Sequence, residues 1–192
     1  MKGRESGMPD ETYWSSFFDS EEILDRLLVT HGHCYHLIEF GCGYGTFTLP
    51  AARRTKGLVT ALDIEPDMVA LVDERAKGLA LSNVRAKLRD FVAHGTGLEA
   101  ASQGHAMVFN LLHLEEPVNL LREAFRTLQP GGILSVIHWR SDIETPRGPP
   151  LDIRPTPEHC AGWVAEAGFQ SILKIDLGAA APYHFGLVAQ RP

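Results

Sequence analysis

From His36 onward, short apolar runs alternate with segments whose apolar residues recur at helical spacing. The runs at 36–40, 58–63, 84–88, 106–111, 133–138, 171–177 and 185–190 have the length and content of strands. Helical signals lie between the first five, and repeated strand-helix alternation predicts a mainly parallel sheet covered on both faces, a doubly wound α/β fold. Pro117 opens the fourth crossover helix. Its Leu120, Leu121, Ala124, Phe125 and Leu128 recur at i, i+1, i+4, i+5 and i+8, ahead of a stop at Pro130, Gly131 and Gly132. Thr156 reads as an N-cap with Pro157 at N1, and Gly168 as the left-handed cap at the other end. The last two strands are separated by only a few residues around 178–182, too few for a crossover helix, so they form an antiparallel pair at the sheet edge. Before all of this, residues 20–29 carry an apolar stripe of Ile23, Leu24, Leu27 and Leu28, predicting a packing helix.

The 192 residues fit one domain with one hydrophobic core, and 44% apolar against 22% charged residues excludes a disordered chain. A net charge of -6 without a concentrated basic stripe argues against an extended nucleic-acid or anionic-membrane footprint and favours a small-molecule partner. The first residues lack an apolar signal core, and no run approaches the roughly 18 apolar residues of a membrane span, so the expected location is cytoplasmic. Oligomeric state is left open. Cys34, Cys42 and Cys160 form no CxxC pair and are expected to be reduced, buried thiols.

The strongest chemical signal is the apolar strand that runs through Glu39 and Phe40 into Gly41-Cys42-Gly43-Tyr44-Gly45-Thr46. Glycine permits a sharp turn and lets a ligand approach the backbone closely. A nicotinamide-type GxGxxG would need glycine where Thr46 stands, which disfavours a dehydrogenase. Asp63 ends the second strand and Asp90 follows the third. Ligands of open α/β sheets bind outside those strand ends, at the point where strand order reverses. One acid there can accept both hydroxyls of a ribose and the other an exocyclic amine, a pair that suits adenosine. The alternative reading makes the glycine loop a structural turn and the two acids helix caps.

In these residues the sequence resembles the class I S-adenosylmethionine-dependent methyltransferases of the small-molecule branch, from about residue 38 to the final strand. Glu39 to Gly45 looks like their glycine motif, Asp63 like the ribose acid and Asp90-Phe91 like the adenine-contacting pair. Phe109 to Leu114 and Leu128 to Gly132 look like their fourth- and fifth-strand signatures. The resemblance implies a Rossmann-like seven-stranded sheet of order 3-2-1-4-5-7-6 with the last strand antiparallel. It implies S-adenosylmethionine as methyl donor and S-adenosylhomocysteine as product. It also implies that Gly41, Cys42, Gly43 and Gly45 border the cofactor, that Glu39 orients the methionine amine, that Ile64 and Met68 flank the adenine, and that Asn110 offers a backbone carbonyl. Many relatives place an aspartate just before the fourth strand; this chain has His105, a departure that bears on what supports the Asn110 turn.

With residues 36–192 as the cofactor-binding core, residues 1–35, read as a helical lid, and the proline-rich connection 139–155 remain for substrate choice. His113 and His138 sit at strand ends and have the intrinsic pKa of a general base, although either could be a structural hydrogen-bonding residue. Tyr13 and Trp14 could fold over the methionine end, favouring a sulfonium, or simply bury in the core. Arg140 and Arg147 suit an anionic substrate, or an ion-paired surface loop, since Asp142, Glu144 and Asp152 balance their charge. The cluster from His31 to His36 lacks a zinc spacing, so no metal is expected. Two other functions share these features: a noncatalytic adenosylmethionine-binding regulator or scaffold, and a subunit that reaches a macromolecule through a partner.

Overall fold

The computed structural model describes residues 9–29 and 35–192. Its seven strands are β1 (Leu37–Phe40), β2 (Val59–Asp63), β3 (Val84–Leu88), β4 (Gln103–Phe109), β5 (Leu128–Trp139), β6 (Gln170–Ile175) and β7 (His184–Gln190). They form one sheet of order β3-β2-β1-β4-β5-β7-β6. The first five strands are parallel, and β7 runs antiparallel to both β5 and β6. Helices are α1 (Glu11–Ser15), α2 (Ser20–Arg26), α3 (Thr48–Arg54), α4 (Pro66–Gly78), α5 (Phe91–His94), α6 (Pro117–Thr127) and α7 (Pro157–Glu166).

Alternation along the central strands sorts their side chains to two cores. Leu37, Met107 and Phe109 pack with Ile23, Leu24, Ala51 and Val72 from α2, α3 and α4 on one face. Ile38, Ala106 and Val108 pack with Leu121, Ala124 and Val164 from α6 and α7 on the other. β1, β2 and β4 are buried along their whole length, as strands covered on both faces must be. Among the described residues, no helix is long and apolar enough to cross a membrane.

Several expected boundaries move. The fourth strand starts at Gln103 and stops at Phe109, because Asn110 takes a left-handed conformation with φ +58° and turns the chain out of the sheet. His105 therefore lies inside β4, paired with Leu37, rather than ahead of it. α6 ends at Thr127, since Leu128 already pairs with Gln103 and opens β5. The glycine pair that was to stop the helix instead sits where the β4–β5 register shifts. α2 ends at Arg26, and Leu28, at φ +63° and 45% exposed, leaves the apolar stripe. Thr156 caps α7 through His159 N–H, as its position predicted.

Candidate active site

β1 lies between β2 and β4, so strand order reverses at its carboxyl end, and there the sheet opens into a cleft with about 1180 Å³ of empty space, mouth included. Gly41, Cys42 and Gly43 line it after β1, Asp63 and Ile64 at β2, Asp90 and Phe91 after β3, and Asn110 and His113 after β4. Trp139, Arg147 and Pro149 form the opposite wall, with Pro9 and Trp14 from the N-terminal segment.

Local chemistry makes the loop after β1. The N–H groups of Gly41 and Cys42 both donate to the Leu62 carbonyl, at 2.8 and 2.9 Å, and fold the chain over the end of β2. Gly43, at φ +50°, then presents its N–H to Asp63 Oδ2 at 2.8 Å. Asp63 Oδ1 accepts the Glu65 N–H at 3.0 Å. The buried carboxylate thus fastens the glycine loop as well as facing the cleft. Asp90 divides its role similarly: it borders the cleft and caps α5 through Ala93 N–H at 2.9 Å.

Glu39 is 2% exposed, and its carboxyl accepts the Thr48 hydroxyl. Burial pushes its pKa up to about 8, a rise the Thr48 bond opposes and the nearby Asp63 charge reinforces. No cationic side chain among the described residues pairs with it. A carboxyl held this way fits a ligand that brings its own positive charge. Asn110 Oδ1 is also buried at the cleft without a hydrogen-bond donor among the described residues, so the site asks for a donor as well. Both demands are met by an amino-acid end carrying an ammonium, next to a nucleoside end for Asp63, Ile64 and Phe91.

Several expected site residues are not among those lining the cleft. Met68, on the first turn of α4, is not part of the cleft wall. Gly45 is not either; at φ +78°, an added Cβ would come within 3.1 Å of Val72 and 3.3 Å of Leu49, so its smallness serves packing under the loop. Tyr13 is exposed outside the cleft and donates to the Pro146 carbonyl at 3.3 Å. Arg140 is ion-paired with Asp142 at 2.7 Å on the surface. His138 is fully buried behind His113 rather than on the cleft. Cys42 and Cys160 are buried and their thiols are pushed upward in pKa by that burial, Cys160 to about 12. Cys34 and residues 31–33 of the histidine cluster lie outside the described residues; His36 Nδ1 accepts the Leu58 N–H at 2.9 Å.

The structure adds residues that spacing alone did not mark. Thr48 reaches Glu39 from α3, and Phe47 and Phe109 stack edge-to-face at 4.8 Å beside the cleft. The N-terminal segment is held by long-range contacts. Tyr44, inside the glycine loop, donates to the Pro9 carbonyl at 2.6 Å, and Arg75 of α4 grips Glu11. Trp14 meets Trp139 edge-on at 6.4 Å. Gly148 lets the proline-rich connection press on that tryptophan: a Cβ there would lie 2.8 Å from its ring.

A sheet of this order, with a glycine loop after β1 and carboxylates after β2 and β3 around one cleft, defines the class I S-adenosylmethionine-dependent methyltransferases. The chain belongs to that class: the profile of the methyltransferase-domain family matches residues 37–132, half its length. Its donor is therefore S-adenosylmethionine. Among solved structures, it is similar to a SAM-dependent methyltransferase from Aquifex aeolicus, at 23% identity over 95% of this chain and 94% of that one, with a TM-score of 0.79. It is also similar to the [4+2]-cyclase SpnF, at 21% identity over 90% and 80% of the two chains and a TM-score of 0.75. A geranyl diphosphate methyltransferase in complex with SAM shares 15% identity over 93% and 85%, with a TM-score of 0.71. Likenesses at this identity show the fold. No curated protein matches the chain significantly.

Proposed function

We propose that this enzyme transfers the methyl group of S-adenosylmethionine to a small organic molecule by in-line displacement. One observation carries the reading. Beside the acids, the glycines and His113, the cleft is lined by Trp14, Trp139 and Arg147, and the N-terminal segment touches the 139–155 connection through Tyr13 and Pro146. A cleft bounded by these aromatic side chains suits a compact acceptor held beside the donor.

The donor supplies a methyl carbon on a positively charged sulfur. Asp63 accepts the ribose hydroxyls while still holding the Gly43 N–H, because each carboxylate oxygen has two acceptor positions. Ile64 and Phe91 flank the base near Asp90, and Glu39 takes the ammonium in its ionised form. Arg147 gives an anionic acceptor group a partner on the other wall. The test is a turnover screen over alcohols, phenols, amines, thiols and carboxylates with product mass measured. A methylated small molecule supports the proposal; methylation confined to protein or nucleic acid overturns it.

A further inference from the structure

His113 and His138 form a pair that the cofactor site does not use. His138 is completely buried on β5, and its Nδ1 lies 3.1 Å from the Trp139 carbonyl. Its Nε2 lies 3.3 Å from His113 Nδ1. A carbonyl oxygen can only accept, so the proton of the neutral His138 ring sits on Nδ1 and its Nε2 carries the lone pair. Burial supports the neutral form, holding the His138 pKa down at about 3. His113 Nδ1 must then be the donor toward His138. In its neutral form, His113 has one ring proton, so that assignment leaves the lone pair on Nε2, at the ring edge turned away from His138. His113 borders the cleft.

Resting on the methyl-transfer reading above, we infer that His138 is a positioning residue that fixes His113 in its Nδ1–H tautomer, and that His113 Nε2 takes the proton of a protic acceptor, an O–H or N–H nucleophile. The step balances. A lone pair of the acceptor oxygen or nitrogen forms the new bond to the methyl carbon, and the carbon–sulfur pair stays on sulfur as a neutral thioether. The acceptor's proton moves to His113 Nε2, and the imidazolium keeps its Nδ1–H bond to His138. Half-buried His113 then releases the proton to solvent. The arrangement resembles the orienting partner of a catalytic histidine, with a buried neutral ring in place of a carboxylate. A neutral partner orients without adding charge.

The direct test is long-range ¹H–¹⁵N correlation of the histidine rings in the full chain at neutral pH, with His113 and His138 assigned by substitution. Both rings are expected in the Nδ1–H form, and H138L, which removes the acceptor facing His113 Nδ1, should shift His113 toward the Nε2–H form. An Nε2–H pattern for His113 in the native protein, or one that H138L leaves unchanged, overturns the inference whether or not the enzyme methylates small molecules. With an acceptor from the screen, H113A should lower kcat on the order of 100-fold. H138L should lower it about tenfold with acceptor KM nearly unchanged, and H138Q, which keeps an acceptor atom toward His113, should recover most of that loss. Equal kcat in H113A, or a screen that yields only acceptors without a proton to lose, overturns the inference while the proposed function stands.

Discussion

Lowering the pH from about 8 to about 6 should weaken cofactor binding through Glu39. Burial holds this carboxyl near a pKa of about 8 in the protein alone, and the ammonium of the cofactor requires its ionised form. Two pH units below that value, roughly one molecule in a hundred is ionised, against about half at pH 8. Binding at the lower pH must first remove a proton; with the ligand's ammonium about half neutral near pH 8, the net loss of affinity is about twentyfold, about 2 kcal/mol. Above about pH 8 the rise stops, because Glu39 is then largely ionised and the ligand's own ammonium, about half neutral near pH 8, goes on losing its proton. Titration calorimetry in buffers of different ionisation enthalpy reads both quantities: affinity, and close to one proton released per ligand bound near pH 6. E39Q should bind weakly at every pH and release none. The same raised pKa makes the unliganded fold less stable as pH climbs from the ordinary carboxyl range toward 8, by about 1.4 kcal/mol per unit at most, since the native state retains a proton that the unfolded chain has lost. Cofactor should therefore raise the melting temperature more at pH 8 than at pH 6. Native affinity that is flat across this interval, with no proton release, would refute the reasoning.

Other perturbations separate the parts of the cleft. D63A removes the proposed ribose acceptor together with the anchor of the Gly43 N–H, and should weaken cofactor binding by about 2 kcal/mol in a protein whose circular dichroism is preserved. Unchanged affinity would remove Asp63 from the site. R147A should raise acceptor KM while cofactor affinity stays within about twofold, measured on one preparation; equal acceptor kinetics would return Arg147 to the surface-loop reading. His184 is buried between Trp139, at 4.0 Å, and Phe18, at 4.7 Å, with neither ring nitrogen bonded to a described residue. Its pKa is pushed well down, first by burial, so its contribution is intact at neutral pH and is lost as pH falls below the ordinary histidine value, where the unfolded chain binds the proton. H184L should therefore gain about 1 kcal/mol relative to the native protein on going from pH 7.5 to pH 5.5, read by urea unfolding. A pH-independent difference would contradict this.

The sheet and most of its cofactor end were legible in the sequence because local rules coincide there. Apolar runs marked the strands, Pro117 and Thr156 marked helix starts, and the glycine loop and Asp63 stand at strand ends whose position follows from the alternation. Residues whose role depends on distant partners were not legible. Gly45 shares its motif with Gly43 but serves contacts to Val72 and Leu49 on neighbouring helices. Met68 follows Asp63 closely, in the first turn of α4, and is not among the residues that line the cleft. Both histidines stand at strand ends, and only the packing of β5 shows that His138 is buried behind His113. The N-terminal segment is placed by Tyr44 and Arg75, 35 and 64 residues along the chain from their partners. No local period encodes such contacts. Asp63 and Asp90 show why two readings of one residue need not compete: each fastens backbone and faces the cleft.

Methyl transfer from S-adenosylmethionine to a small acceptor in this cleft is the reaction on which the proposed function stands. It is tested most directly by supplying donor labelled in the methyl group, together with the best acceptor from the screen, and measuring labelled product and S-adenosylhomocysteine in one reaction. The two are expected in equal amounts, with both lost in D63A. Donor that binds but yields no labelled small molecule with any acceptor would contradict it.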